Sequence, residues 1–416
     1  HVGTWGMVNI PGLEYHQMAG RAGRPGKDDH GEAITIAKSK DEEDEIREEY
    51  IRGLPEKIYS KLAVEPVLRT YVLSLIASGF VNNQGSLIEF FSKTFWSYQY
   101  KDMNRLKAII LKVLDLLDNY GFIYRSSKKI KQDDVEESNR LNIDPNVDAK
   151  LDIDDDFVSA SELEKTYAIE DDEKIRATLL GKRVAELYLD PYTANHLVTC
   201  LRTAIDLDEI AIVSFLHMIS HTIEMRPLIR VRRKTEDDVA SFLLEHEDKL
   251  FEGEPSLYDE EYEEYYNSIN TTLFFKDWID EKDEEYLLEK YNIRPGETRY
   301  KIDRANWLLY ASSEFAKILE LKEIKKMLDK LSIRVGSGVK EELLPILRFK
   351  NIGRVRARRL FDNKIRTVKD VKDTDMTSLS QIVGSKIAKN IKEQVGETVE
   401  DIPKKRRIGQ YSLERY

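Results

Sequence analysis

QMAGRAGRPG, residues 17–26, is the stretch from which the fold and the chemistry of this chain are best predicted. Its two arginines, Arg21 and Arg24, are three residues apart. The glycines between and around them are Gly20, Gly23 and Gly26. Glycines allow a backbone to approach a ligand closely, and a guanidinium group presents donors that match the oxygens of a phosphate. The stretch therefore predicts a turn at which arginines reach a phosphate group.

The order Q-x-x-G-R-x-G-R resembles motif VI of the superfamily-2 nucleic-acid helicases. The resemblance implies that Gln17, Arg21 and Arg24 are catalytic residues at the terminal phosphates of ATP. It also implies that Gly20 and Gly23 belong to the cofactor-binding turn. The alternative is an ordinary basic glycine-rich loop, which would need all of these positions to coincide by chance.

Motif VI lies near the end of the second RecA-like domain of such helicases, yet only sixteen residues precede Gln17 here. No G-x-x-x-x-G-K-[ST] phosphate loop occurs in the sequence. The acidic cluster 41–45 follows no apolar strand, so it predicts a solvated helix start rather than a Mg²⁺ site. We therefore expect the carboxy-terminal part of a larger enzyme. ATP and Mg²⁺ would be bound mainly by a preceding motor, and this chain alone would not hydrolyse ATP.

Composition limits the class of protein. A chain of 416 residues with 41% hydrophobic and 34% charged residues is expected to form three or four domains. The single cysteine, Cys200, excludes an internal disulfide and a cysteine-based zinc site, and it fits a reducing cytoplasm. No apolar run approaches the roughly 18–20 residues that span a bilayer, which predicts no membrane association. The net charge is −11, but residues 348–369 contain nine basic residues and one acidic residue, which favours a local phosphate-binding surface.

Periodicity predicts a mainly α-helical chain. The run Gly31–Lys38 predicts a closing strand of a RecA-like domain. Helical spacing of apolar residues begins at Glu65 and recurs around 86–98 and 101–120. Two short strands are then predicted, at 121–124 and 175–180. Helices that end in a two-stranded ribbon predict a winged helix.

Residues 191–335 predict an almost entirely helical segment, with helix or turn boundaries at Pro191, Pro227 and Pro295. Two similar pieces follow, 346–361 and 379–391, each with a glycine turn between helices. This pattern predicts a helix–hairpin–helix pair. The predicted domains are a RecA-like remnant 1–48, a winged helix 49–190 with an acidic insertion 126–172, a helical domain 191–335, a helix–hairpin–helix domain 336–402 and a basic tail 403–416.

The first hairpin is the strongest candidate for binding a DNA backbone. A glycine turn presents backbone N–H groups at a helix start, where a phosphate is held without reading of sequence. The predicted DNA-binding residues are Gly353, Arg354, Arg356, Arg358 and, at the weaker second turn, Lys386. The alternatives are a solvated basic helix at the first turn and a purely structural second turn.

Arg299 and Trp307 are eight residues apart in a predicted helix, about two turns, so they share one face. An aromatic ring that stacks on a base beside an arginine that holds a phosphate suits single-stranded DNA. Taken alone, however, a helical tryptophan is more often a core residue, and the pattern leaves both interpretations open.

Two other groups of residues have the spacing of known binding motifs. His217 and His221 have the i, i+4 spacing of metal ligands, but no third ligand stands out, so a packed or surface helix pair is favoured and no metal site is predicted. Near the end of the chain, Gln410, Leu413 and Tyr416 have the spacing of a sliding-clamp-binding peptide. They lack its paired aromatics, and a disordered basic tail is the alternative.

The order of motif VI, winged helix, helical domain and helix–hairpin–helix resembles the archaeal Hjm-type DNA helicases, relatives of the helicase portion of DNA polymerase theta. The resemblance extends over essentially the whole chain. Matching stretches are residues 10–26, 180–188, 275–280, 340–344 and 353–358. One departure is Asn351, where the family pattern has glycine. Asparagine tolerates the left-handed conformation, so the turn is expected to survive.

The resemblance implies an ATP-dependent 3′→5′ DNA helicase that translocates on single-stranded DNA and unwinds forked or branched DNA in replication-fork repair. It implies a "ratchet" helix on which Trp307 stacks on a base and Arg299 grips a phosphate. The protein is expected to be a monomer. Two alternatives stay open: an RNA helicase of the related exosome-associated group, or a non-catalytic DNA-binding module formed by this chain alone.

Overall fold

The structure is a computed structural model, and it describes residues 9–23, 26–60, 62, 65–101, 103–126 and 174–396. The chain forms two compact units. The first comprises residues 1–64 and 90–106, and the second comprises residues 65–89 and 107–416. Helices dominate the described residues, whose sheet has only two strands, so the mainly α prediction is confirmed. None of the described helices combines the length and apolar character that a membrane span requires.

The first unit contains short helices: α1 (Gly12–Ala19), α2 (Lys40–Ile46), which continues as a π-helical turn, and α5 (Phe95–Tyr100). Helix α1 starts at Pro11, and the carboxylate of Glu56 accepts hydrogen bonds from its first two N–H groups at 2.5 and 2.8 Å. The acidic cluster begins α2, as predicted, where Ser39 caps the helix.

The predicted closing strand Gly31–Lys38 is wrong. Residues 31–37 form no regular element, and the side chains of Ile34 and Ile36 are 84% and 85% exposed. A strand is stabilised by pairing with a neighbour. Among the described residues of the first unit there is no second strand to supply that pairing.

The second unit begins with α3 (Glu65–Ala77) and a two-stranded ribbon. Helices α4 (Gln84–Ser92) and α6 (Met103–Asn119) precede the ribbon, whose strands are β1 (Ile123–Ser126) and β2 (Lys174–Ala177). The strands are antiparallel, with Ile123 opposite Ala177. The predicted ribbon is thus confirmed, although β2 ends before residue 180. The reason is local: the Thr178 hydroxyl caps the next helix, α7 (Leu179–Glu186), by accepting the Gly181 N–H at 2.9 Å.

A long helical segment follows, as predicted. Its helices are α8 (Pro191–Thr203), α9 (Ile212–Ser220), α10 (Arg233–His246), α11 (Tyr262–Ile279), α12 (Glu284–Tyr291), α13 (Pro295–Ile318) and α14 (Lys322–Ser337). Pro191 and Pro295 each occupy a first-turn position, where a missing N–H costs nothing. Asp190 caps α8 and also accepts a bidentate ion pair from the buried Arg69 at 2.6 and 2.7 Å. That pair fixes α3 to the start of the helical segment.

The final segment has the two predicted helix–turn–helix pieces. Its helices are α15 (Leu344–Leu347), α16 (Arg354–Asp362), α17 (Val368–Asp373), α18 (Met376–Val383) and α19 (Ser385–Gln394). They enclose a small apolar core that includes Ile346, Leu360 and Ile391. Asn351 has φ +68°, which confirms that asparagine supports the left-handed turn, and Gly384 has φ +90° in the second turn.

One predicted helix is interrupted. The pattern around 86–98 forms two helices, α4 and α5, because Thr94 adopts an extended conformation and begins α5 while its hydroxyl donates to the Phe91 carbonyl at 2.7 Å. The acidic insertion lies outside the described residues apart from Ser126. The proposed domain boundaries stay predictions.

Candidate nucleic-acid interface

Helix α13 is the longest described helix and carries the predicted ratchet pair. It begins where the Glu297 carboxylate accepts the Arg294 N–H at 2.8 Å, and it runs for 24 residues. The buried side of the helix is mainly apolar and includes Ile302, Ala305, Leu308 and Leu309, and the helix packs chiefly against α14. The opposite face is polar and aromatic, and it remains accessible to solvent.

The accessible face presents an aromatic–cation stripe formed by Tyr300, Arg304 and Trp307. These residues are spaced i, i+4, i+7, which aligns them on one side of the helix. The guanidinium carbon of Arg304 lies 5.1 Å from the Tyr300 ring centroid and 5.6 Å from that of Trp307. Tyr300 is 45% exposed. The stripe therefore offers π surfaces and a positive charge to solvent.

The indole of Trp307 is half-buried rather than sealed in the core. Its N–H donates to the Leu187 carbonyl at 3.3 Å, just after α7. This bond orients the ring and leaves part of it accessible beside Arg304. A partly accessible ring that is fixed at one edge is compatible with stacking on a base.

Arg299 lies on the solvent side of the same helix. Its guanidinium pairs with Asp303 at 3.1 Å, and the two side chains are 71% and 57% exposed. An exposed i, i+4 ion pair is worth only about 0.5 kcal/mol or less, so a phosphate can replace the carboxylate at little cost.

The first hairpin turn leads into α16, with Gly353 at the N-cap. A Cβ placed on Gly353 would meet no atom within 4 Å, so the surroundings of the turn are open. Arg356 is exposed, and its guanidinium donates to the Asn351 carbonyl at 3.0 Å. Arg359 is also exposed and lines the same shallow groove, together with Gly353 and Arg356.

Arg354, which also lines this groove, and Arg358 contact the helical segment. Arg358 donates to both oxygens of Glu281 at 2.8 and 2.6 Å and to Glu342 at 2.7 Å. Burial opposes the charge on Glu281, but the bonds from Arg358 hold the pKa of that carboxyl below its usual value. Arg354 lies 5.0 Å from the Trp278 ring centroid and donates to the Lys282 carbonyl. Both arginines therefore join the hairpin to the region around the end of α11.

The second hairpin turn places Lys386 on the exposed side of α19, two residues after Gly384. The helices on either side of this turn pack into the apolar core through Val383 and Ala388. Its structural role is therefore established by packing, while its role toward DNA stays a prediction.

The Gly/Arg stretch forms the end of α1 and the loop that follows. Gln17 and Arg21 are exposed, and Gly20 closes the helix. Gly23 has φ +81°, a conformation that favours glycine. The backbone passes so close to residue 31 that a Cβ on Gly31 would lie 2.2 Å from the Ala22 carbonyl oxygen.

Several predicted residues lie outside the described part of the chain. These are Arg24 and the proposed clamp-binding residues Gln410, Leu413 and Tyr416.

Sequence reasoning missed the role of Arg304 and the partners of Arg358. Arg304 was not singled out, although its i, i+4 spacing from Tyr300 and its i, i+3 spacing to Trp307 are readable in the sequence. The Glu281 partner is 77 residues away from Arg358 in sequence, and no local pattern indicates it.

Comparison with known proteins adds a family. Residues 213–338 match the family described as archaeal helicase, domain 4. The chain is 36% identical over 400 residues to the ATP-dependent DNA helicase Hel308 of Methanococcus vannielii, covering 94% of this chain and 50% of that protein. It is 33% identical over 392 residues to Hel308 of Methanocaldococcus jannaschii, covering 94% of this chain and 27% of that protein.

A third relative is Hel308 of Methanocella arvoryzae, which is 31% identical over 404 residues, covering 96% of this chain and 48% of that protein. The chain thus spans half or less of the length of these relatives. The residues matched to domain 4 include the aromatic–cation stripe of α13. The match ends at residue 338, which lies beside the Trp278 ring. Together, the match to archaeal helicase domain 4 and the similarity along nearly the whole chain show that this chain is similar to part of the archaeal Hel308 DNA helicases.

Proposed function

We propose that this chain is the DNA-gripping part of an ATP-dependent DNA helicase and that α13 holds a single strand. The observation that carries the proposal is the aromatic–cation stripe of Tyr300, Arg304 and Trp307 with the exchangeable Arg299 on the same helix. The relatives are named ATP-dependent DNA helicases, which supports the same assignment.

In this proposal Trp307 stacks on a base while Arg299 leaves Asp303 and binds a backbone phosphate. Base stacking on an aromatic ring tolerates any sequence, and a phosphate contact carries no sequence information. Both properties suit a protein that must move along a strand. The open turn at Gly353, with Arg356 and Arg359, binds a second stretch of backbone, and Lys386 contributes at the second turn. Arg354 and Arg358 chiefly keep the first hairpin in place.

The nucleotide-dependent step belongs to the Gly/Arg stretch. Gln17, Arg21 and Arg24 act on the γ-phosphate of ATP, and Gly20 and Gly23 let the backbone approach it. ATP and Mg²⁺ are held mainly by a motor portion beyond this chain, so the chain alone does not hydrolyse ATP. Closure of that motor on ATP, followed by release, moves the strand past α13 in the 3′→5′ direction.

The proposed substrates are single-stranded and forked or branched DNA at replication forks under repair. The chain corresponds to the carboxy-terminal part of the enzyme, which acts as a monomer. The proposed sliding-clamp peptide consists of Gln410, Leu413 and Tyr416, and its test is loss of clamp binding on replacement of Leu413 and Tyr416 by alanine.

A pair of substitutions with opposite expected signs tests the grip of α13. Arg299→Ala should weaken binding of a single-stranded oligonucleotide a few-fold and reduce the steepness of its salt dependence by about one ion. Asp303→Ala should leave binding unchanged or strengthen it, because it frees Arg299 and removes a negative charge. The measurement is fluorescence anisotropy over a salt series.

The matched design separates binding from folding, because both variants lose the same weak surface ion pair. If Arg299→Ala and Asp303→Ala bind the oligonucleotide with equal affinity, Arg299 does not belong to the DNA interface.

The rival substrate is RNA, since stacking on Trp307 does not by itself distinguish RNA from DNA. Competition between DNA and RNA oligonucleotides of one sequence decides this point. Preference for DNA supports the proposal, and preference for RNA would replace it with an RNA helicase.

A further inference from the structure

A compact cluster of potential metal ligands lies in the helical segment, apart from the proposed DNA interface. It consists of His196, Cys200, Glu252 and His221. One donor atom from each of His196, Cys200 and Glu252 lies within 4.8 Å of the other two. The pair His196 and Cys200 is spaced i, i+4 on α8, the spacing at which two side chains on one helix face can bind the same ion.

The carboxylate of Glu252 lies between two imidazole rings. Its Oε1 is 2.9 Å from His196 Nδ1, and its Oε2 is 2.9 Å from His221 Nδ1. The Cys200 sulfur is 3.9 Å from the same His196 Nδ1. Donors from α8 and from the loop after α10 therefore lie within 4.8 Å of one another, and His221 at the end of α9 reaches the second oxygen of the same carboxylate.

The protonation of His196 is constrained by its second ring nitrogen. Nε2 lies 2.8 Å from the Met218 carbonyl oxygen, which can only accept a hydrogen bond, so Nε2 carries a hydrogen. A neutral ring would then direct the lone pair of Nδ1 at a carboxylate oxygen only 2.9 Å away. A positive charge is needed between these atoms, and it is either a second proton or a metal ion. A ring nitrogen that donates to a backbone carbonyl while the other faces the ion is the usual support of a metal-bound histidine.

The donor set favours a metal ion. Two imidazoles, one thiolate and one carboxylate form the four-ligand nitrogen, sulfur and oxygen set that Zn²⁺ accepts in tetrahedral sites. A Zn²⁺ ion with one thiolate and one carboxylate has no net charge, which suits a buried position. With ligand bonds of about 2.0–2.3 Å, neighbouring donor atoms in a tetrahedron lie roughly 3.4–3.7 Å apart. The observed separations of 2.9 and 3.9 Å lie on either side of that range, so the side chains would have to adjust on binding of an ion.

The surroundings of the cluster also fit a metal site. The Cys200 side chain is buried, whereas the side chains of His221 and Glu252 are 25% and 35% exposed, which gives an ion a path from solvent. The loop that carries Glu252 is anchored by the buried Leu250 and Phe251.

We propose that His196, Cys200, Glu252 and His221 bind a structural zinc ion that ties α8, the end of α9 and the loop after α10 together. The exclusion of a cysteine-based zinc site from the sequence applies to sites built of several cysteines. It does not apply to a single thiolate among imidazole and carboxylate ligands. His217 is not among the proposed ligands, because its ring is buried and its Nε2 lies 3.1 Å from the Ser268 hydroxyl.

The test uses the 416-residue chain and Co²⁺ as a spectroscopic probe for the zinc site. Titration of metal-free protein with Co²⁺ should produce a thiolate-to-cobalt charge-transfer band and the intense visible bands of tetrahedral cobalt, saturating at one ion per chain. Because Cys200 is the only cysteine, such a thiolate band can come from no other residue. Cys200→Ser should abolish the band, and Glu252→Gln and His221→Gln should weaken cobalt binding at least tenfold. His246→Gln is the matched control, because that ring packs on Phe242 and has no part in the cluster.

A second readout does not depend on the variants. Zinc should raise the Tm of the wild-type chain by several degrees, and a chelator should reverse the increase. If wild-type protein gives no thiolate–cobalt band and its Tm responds to neither zinc nor chelator, the proposal is overturned. The cluster is then a proton-sharing histidine–carboxylate network. Equal zinc content in the wild type and Cys200→Ser would also overturn it.

Discussion

At the scale of single residues, Arg356 and Arg358 are two positions apart on α16, about 200° around the helix, and they have opposite environments. Arg356 is exposed beside the open turn at Gly353. Arg358 is engaged by Glu281 and Glu342. Two chemically identical side chains in one basic run thus have different tasks.

Arg356→Ala should weaken DNA binding and lower the steepness of its salt dependence by about one ion, with no change in stability. Arg358→Ala should lower the free energy of unfolding by about 1–3 kcal/mol, because it leaves the largely buried Glu281 without its partner. Arg358→Ala should have no direct effect on the salt dependence of DNA binding. The measurements are a binding salt series and denaturant unfolding of both variants.

If Arg358→Ala weakened DNA binding and Arg356→Ala lowered the stability, the assignment of the two arginines would be wrong. The sequence allowed prediction of the turn itself, because Asn351 and Gly353 are local signals of a hairpin. It could not separate the arginines, since the carboxylates that engage Arg358 are 77 and 16 residues away in sequence.

At the scale of elements, the ribbon and α7 are held together by a close approach at Gly181. A Cβ at this position would lie 1.9 Å from the Phe122 carbonyl oxygen. The Gly181 N–H also donates a hydrogen bond to the Thr178 hydroxyl, which caps α7. The close approach leaves no room for a side chain at position 181, so glycine is needed where the first turn of α7 passes the Phe122 backbone.

Gly181→Ala should therefore reduce the free energy of unfolding by more than about 2 kcal/mol, because backbone atoms cannot move aside as a side chain can. Gly296→Ala is the control: it lies in the first turn of α13, where a Cβ meets nothing within 4 Å. That variant should be unchanged or up to about 1 kcal/mol more stable. Denaturant unfolding measures both, and equal stability of the two variants would contradict the close-contact account.

Elements with a strong local signal were predicted well. The amphipathic α6, the proline-initiated α8 and α13, and both hairpin turns all have such signals. The predictions failed where a contact that the apolar pattern does not show determines the secondary structure. Residues 31–37 have strand-forming composition but no pairing strand among the described residues, and Thr94 divides one apolar pattern into α4 and α5.

At the scale of the whole molecule, the negative net charge of the chain does not predict where a polyanion binds. The charge is −11 overall, yet exposed arginines lie beside the hairpin turn and on α13. The helical domain and the ratchet pair could be expected from the family resemblance. The His–Cys–Glu cluster required the fold, because its members come together only after packing, whereas the spacing of Arg304 between Tyr300 and Trp307 on one helix is a local signal.

The central claim is that Trp307 on α13 is a stacking platform for a single strand. The most direct measurement is the affinity of the chain for a fluorescent single-stranded DNA oligonucleotide, compared among wild type, Trp307→Ala and Trp307→Phe. Both variants lose the hydrogen bond to the Leu187 carbonyl, but only phenylalanine keeps an aromatic face. We predict that alanine weakens binding by about 1–3 kcal/mol, roughly 5- to 150-fold in Kd, and that phenylalanine restores most of it. Wild-type affinity in a folded Trp307→Ala protein would contradict the account.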